Sequence, residues 1–263
     1  WVSACEGEYS ALLAPDAPLS EQACVLIDTL DAGLMSWLQG RGVPYAVQYF
    51  RNYDPTQLPE HHSVFINRVK AVFDATNFLL GLGHQRIGFM GPVGEPSSPP
   101  DIMPRVGFVS AMQCAGMVVD PAITEFPGSV SDNPEESRDQ AVRLLSGPNP
   151  PTGIVAQTDA DAIGIVLAAR SLGLRVPEDL SVVGYNDQEE GRRLDPPLTT
   201  FAPPRYEQAV KAVETALAAA EGRLEGFQRI VMSSRLVLRR SAGPAPRRGP
   251  GRAAGFPRES GGG

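Results

Sequence analysis

The sequence predicts an α/β protein whose parallel sheets are covered by helices on both faces. Two observations carry that expectation. Short apolar segments alternate with longer segments of helical periodicity, strand then helix then strand, along most of the chain. Such repeats close only as parallel strands joined by crossover helices. The chain has 263 residues, 42% hydrophobic and 20% charged, enough for one large α/β unit or two lobes. No apolar run approaches the roughly 20 residues that span a bilayer, so no membrane partner is expected.

The elements follow in order. Residues 23–27 (ACVLI) read as a strand, and 31–42 as a helix with Leu34, Trp37 and Leu38 on one face. Strands are expected at 43–50 and 62–66. The helix that follows aligns Val69, Val72, Phe73, Thr76, Leu79 and Leu80, with Gly83 as its natural stop. A strand at 86–90, a helix at 104–116, a strand at 122–126 (AITEF) and a helix at 134–147 come next. The acidic start of that last helix suits its dipole. Residues 152–157, 159–173 and 181–185 continue the rhythm as strand, helix and strand. A long helix at 205–221 and two short strands, RIVMSS and RLVLRR, complete the chain.

Charge divides the chain unevenly. From Arg239 onward lie six arginines and one acidic residue, although the whole chain carries 23 Lys and Arg against 30 Asp and Glu. The body is therefore acidic and repels phosphate, which makes it a poor DNA-gripping surface by itself. Residues 241–263, rich in Pro, Gly and Arg, are expected to form a disordered basic tail. Cys5, Cys24 and Cys114 fit neither a disulfide framework nor a zinc site and read as plain thiols. The chain begins at Trp1 without a secretory leader, so a cytoplasmic location is expected.

Catalysis finds little support. His61 and His62 lack metal-ligand spacing, and the motifs HExxH, GxSxG, GxxxxGK[ST] and GxGxxG are all missing. Glu189-Glu190 and Glu135-Glu136 sit in hydrophilic stretches where solvated charge is the ordinary reading. The expectation is a non-enzyme without cofactor or metal.

The strand at 181–185 runs directly into Asn186 and Asp187, side chains able to cap a turn or contact a ligand. Ligands of open parallel sheets sit beyond the carboxyl ends of the strands, so these two are the first site candidates. The strings LGHQRIGFMGP, AQTDADAIGIVLAARSLGLRVP, VPEDLSVVGYND and PPLTT stand here in that order. Over roughly 23–239 the chain resembles the LacI/GalR family of bacterial transcription regulators. The resemblance implies a two-lobed, periplasmic-binding-protein-like core. Its N-terminal lobe would take 1–91 plus about 203–224, and its C-terminal lobe 92–202 plus about 225–240. It also implies a small sugar-like or phosphorylated effector in the inter-lobe cleft and side-by-side homodimers, with Val210, Val213 and Leu217 serving core or interface. Two alternatives stay open, a stand-alone sugar-binding protein of a transport system and a degenerate regulator that binds nothing.

Carried over residue by residue, the resemblance sharpens the site and exposes departures. Asn186 stands where the family commonly has a carboxylate, with Asp187 beside it. Counting back from His84 to the end of the N-terminal-lobe strand lands on Lys70, a cation suited to an anionic ligand. Arg105 stands two residues before Gly107-Phe108, where the family's effector arginine stands three before, a slip of about 100° around a helix. Thr158 and Asp159 fall in the loop that lines the cleft. No aromatic ring is available within 129–137 for stacking on a sugar. No helix-turn-helix pattern precedes the core, and residues 1–22 give little counterpart to the family's first strand and helix. The expectation is a truncated N-terminal lobe, with operator DNA reached only through a headpiece absent from this chain.

Overall fold

The computed structural model describes residues 23–27, 32–50, 59–91, 103–124 and 133–247. In chain order the elements are β1 (Cys24–Ile27), α1 (Ala32–Gly40), β2 (Tyr45–Tyr49), β3 (His62–Ile66), α2 (Arg68–Gly81), β4 (Ile87–Met90), α3 (Met103–Cys114), α4 (Pro121–Thr124) and α5 (Pro134–Leu145). They continue with β5 (Gly153–Ala156), α6 (Asp159–Ser171), β6 (Ser181–Tyr185), α7 (Glu189–Arg193), β7 (Thr199–Ala202), α8 (Arg205–Ala220), β8 (Arg229–Met232) and β9 (Arg235–Val237). They build two sheets, ordered β1-β2-β3-β8 and β4-β5-β6-β7-β9. Every pairing is parallel except the antiparallel edge pair of β7 and β9.

Apolar side chains explain this layering. Leu34, Met35 and Leu38 of α1 bury themselves with Val47, Tyr49 and Phe65 of the first sheet, and α8 packs over β1, β2 and β3. The second sheet is sandwiched. Ala162, Ile165, Val166 and Ala169 of α6 join Leu144 of α5 against one side of it. On the other side lie Val72, Ala75 and Leu79 of α2 and Phe108 and Met112 of α3. Each large apolar side chain buried this way contributes about 1.5–3 kcal/mol. The α2–α3 crossing is close because residue 107 is glycine: a Cβ there would collide with the Val69 carbonyl.

Sheet membership moves the lobe boundary expected at residue 91. The first lobe ends at β3, and α2 and β4 belong with the second sheet. Within 225–240, β8 returns to the first sheet and only β9 joins the second. Both lobes repeat the same strand–helix rhythm, so periodicity alone cannot mark where the chain changes sheets.

Two local expectations also change. Residues 121–124 are the helical turn α4, not part of a strand. Asp120 Oδ1 accepts from the Ala122 N–H at 3.0 Å, and the Asp120 carbonyl accepts from the Ile123 N–H and the Thr124 hydroxyl; an Asp-Pro step opens a helix readily. Residues 125 and 126 lie outside the described residues. Thr199 and Thr200 are the fully buried start of β7. The stretch 241–247, expected in a disordered tail, is bonded to the fold. Ser241 is fully buried, its hydroxyl donating to the Val182 carbonyl at 2.7 Å and accepting from the Thr199 N–H at 2.8 Å. Residues 248–263 and the expectations drawn from 1–22 lie outside the described residues.

Candidate functional site

The chain passes between the sheets three times, from β3 to α2 at Asn67, from β7 to α8 at Pro203-Pro204, and from β8 to β9 at Ser233-Ser234. The strands β3, β7 and β8 are all left at their carboxyl ends, and β9 starts beside the end of β7, with Arg235 opposite Ala202. The carboxyl ends of both sheets therefore face one gap, where polar groups of open α/β folds meet ligands.

The centre of that gap is the end of β6. Asn186 and Asp187 have φ of 122° and 57°, a left-handed excursion that costs non-glycine residues energy and that Asn and Asp tolerate best. The Asn186 N–H donates to the Phe201 carbonyl at 2.9 Å, which fixes the turn, and its Oδ1 accepts from Arg205 Nη2 at 2.8 Å across the gap. Arg205 also lies over the Phe50 ring, 5.3 Å from its centroid. From the first crossover, Arg68 donates to the Gln157 carbonyl at 3.0 Å and stacks 4.7 Å over the Tyr185 ring. From the third, Ser234 Oγ lies 3.2 Å from the Tyr185 hydroxyl. Burial raises the Tyr185 pKa, opposed by the charges of Arg68 and Arg205 and by the Ser234 hydrogen bond. One side chain from each crossover thus converges on the Tyr185–Asn186 step.

The other expected site residues divide between floor and periphery. Asp187 forms ion pairs with Arg192, at 2.8 Å, and with Arg239. Burial acts to raise its pKa, and the hydrogen bonds and charges of Arg192 and Arg239 together outweigh it and leave it lowered. Asp159 is fully buried and holds the turn from below, accepting from Thr200 Oγ1 at 2.6 Å and from the Gln188 N–H at 2.7 Å. Burial raises its pKa against those two bonds. Its position needs a glycine neighbour, since a Cβ on Gly184 would strike Asp159 Oδ1. Thr158 is the N-cap of α6, accepting from the Asp161 N–H at 3.1 Å and donating to Asp161 Oδ2 at 2.9 Å. Arg105 lies in the first turn of α3, partly buried.

Lys70 is a correction. The strand ends at Ile66, and Asn67 caps α2 by accepting from the Lys70 N–H at 2.8 Å. The lysine points to solvent and pairs with Asp74 at 2.6 Å. Counting residues placed the strand end one helical turn late. Sequence reasoning missed Arg68, Tyr185, Arg205 and Ser234. The available signal was positional: each stands at a strand end or directly at a lobe crossover.

Two surface cavities, of about 460 and 540 Å³, lie on the flanks of the second lobe, lined by groups such as Arg170, Asp195 and Arg240 or Met112, Val118 and Ile123. Neither includes the Tyr185–Asn186 step. Among the described residues no cluster of His, Cys, Asp and Glu could hold a metal ion, and no helix is long and apolar enough to cross a membrane.

Known proteins share this architecture. The periplasmic binding protein-like domain family matches residues 76–242. The transcriptional repressor CytR of Escherichia coli K12 is 31% identical over 260 residues, covering 93% of this chain and 74% of CytR. The regulator DegA of Bacillus subtilis is 33% identical over 184 residues, covering 69% of this chain and 52% of DegA. Among solved structures, a LacI-family regulatory protein from Chloroflexus aggregans superposes with a TM-score of 0.72 at 27% identity, over 83% of this chain and 76% of that one. A LacI regulator from Rhodococcus gives 0.69 at 29% identity, over 86% and 79%. These relatives are transcriptional regulators rather than enzymes, and the two superposed structures share the fold built here around a gap between two sheets. The chain belongs to the LacI/GalR family of transcriptional regulators, and its two lobes are that family's effector-binding core.

Proposed function

We propose that this core senses a small polar metabolite, sugar-like or phosphorylated, held between the lobes at the Tyr185–Asn186 step. Binding would change the angle between the lobes and, through it, operator binding by the regulator's DNA-contacting headpiece. The observation that carries this reading is the Arg205–Asn186 hydrogen bond, which joins the two lobes at 2.8 Å through a backbone held at φ 122°. Unfavourable backbone of this kind clusters at ligand clamps and switches. Asn186 contributes both a donor and an acceptor to a ligand hydroxyl, while Asp187, Thr158 and Asp159 brace its turn and Arg105 is the candidate from α3.

The regulator is further proposed to act as a homodimer. Val210, Val213 and Leu217 of α8 are 39%, 48% and 49% exposed and share a helical face with Tyr206, which suits an interface rather than a core. Sedimentation should show a dimer at tens of micromolar that Val213→Glu weakens; a purely monomeric wild type would overturn that part.

The effector reading is tested by thermal shift of the purified chain against sugars, sugar phosphates and nucleosides. At least one should raise the melting temperature saturably, as RT ln(1 + [L]/Kd) requires. A wholly silent panel would overturn it.

A further inference from the structure

Two sets of arginines surround the end of β6. Arg192 and Arg239 share the carboxylate of Asp187, so the acid at the end of β6 is already occupied. Arg205 is exposed at the gap, and its described partners, the Asn186 amide oxygen and the Phe50 ring, are both neutral. Arg68 reaches the same place from the opposite crossover, and both guanidinium groups act electrostatically on the Tyr185 phenol. Two positive charges thus converge on one tyrosine in a chain of formal net charge −7. An amide oxygen is a modest acceptor for a guanidinium, and an oxyanion forms a bond roughly twice as strong, often bidentate.

We propose that the effector is an anion, a small metabolite whose phosphate or carboxylate is gripped by Arg205 with Arg68 beside it, in preference to a neutral sugar. The oxyanion displaces Asn186 Oδ1 from Arg205 and frees the amide for a ligand hydroxyl, so one binding event rewires the contact that joins the lobes. This rests on the gap being the effector site and narrows the class of ligand. It also moves the cation expected at Lys70 to two residues at the crossovers.

The test is calorimetric titration of the full chain with ribose, glucose and a nucleoside, each against its monophosphate, with gluconate and inorganic phosphate alongside. An anionic member should bind at least about tenfold more tightly than its neutral counterpart, the margin expected for a charge-assisted pair. Arg205→Met, which keeps the contact with Phe50, should abolish that preference without lowering the melting temperature of the free chain, and Arg205→Lys should restore part of it. Equal or tighter binding of the neutral member, or a preference that survives Arg205→Met, overturns the anion assignment and leaves the effector site standing. Silence from every probe, charged and neutral, overturns both.

Discussion

At the amino ends of β4, β5 and β6, His84 is buried with every ring nitrogen engaged. Its Nδ1 lies 2.9 Å from Thr152 Oγ1, and its Nε2 lies 3.1 Å from both Ser181 Oγ and the Gly243 carbonyl. A carbonyl can only accept, so Nε2 carries the hydrogen and Nδ1 accepts from the threonine. The strap 239–245 is stitched over this end through Ser241, Gly243 and the Ala245 N–H, which donates to the Leu82 carbonyl at 2.9 Å. The carboxyl ends of the same strands carry exposed or half-exposed arginines, a strained Asn-Asp step and a contact between lobes. One sheet thus concentrates satisfied, buried polar bonds at one end and exchangeable ones at the other. Stability and ligand response should therefore separate by strand end.

The largest effect should come from the closed end. His84→Ala leaves a cavity and strips partners from Thr152 and Ser181, at an expected cost of about 2–4 kcal/mol in urea denaturation, with effector affinity unchanged. A comparable loss of affinity would break the contrast. At the open end, Asn186→Gly should do the opposite. Affinity for whichever panel ligand binds falls about tenfold for one lost hydrogen bond. The unfolding free energy stays level or rises by up to about 1 kcal/mol, because relief of the left-handed backbone offsets the extra chain entropy of glycine. A destabilised variant with normal affinity would make Asn186 a turn cap only.

The smallest effect is on pH. Burial lowers the His84 pKa, against the Gly243 hydrogen bond, so the unfolded chain takes up its proton first, near the ordinary value of 6.5. The contribution of His84 is fully present above that value and is lost as pH falls from it through the lower folded-state pKa, at no more than about 1.4 kcal/mol per pH unit. Buried His61 is lowered too, by burial first and then by the charge of Arg229, and adds in the same sense. Melting temperature should fall on acidification below neutral, and His84→Gln should flatten the slope. A slope unchanged by that substitution would assign the whole effect elsewhere.

Much of this fold is legible in the sequence. The strand at 181–185 with its Asn-Asp end, the α6 segment and the α8 helix follow from periodicity, because each is long or apolar enough for one repeat to dominate. What failed did so for local reasons. AITEF has strand-like composition, but the Asp120-Pro121 start turns 121–124 into helix. Counting residues lands on Lys70, whereas β3 ends four residues earlier, at Ile66. Arg68 and Arg205 carry no periodic signal, since their positions depend on crossovers that appear only when strands are assigned to sheets. Ser241 was hidden in a Pro- and Gly-rich stretch because its role depends on two backbone groups of other strands.

The interleaved topology also governs the order in which the polypeptide can become native. Ser63 of β3 pairs with Arg229 of β8, and α8, which covers β1 to β3, begins only at Arg205. Between them lies nearly all of the second lobe, whose parallel strands β4 to β7 are complete by Ala202. During synthesis from the amino terminus the first sheet is therefore the earlier one made and the later one finished. It waits with one edge unpaired and one face uncovered until its neighbour has been translated, and the high sequence separation of the β3–β8 contact puts its loop-closure cost at the end of folding.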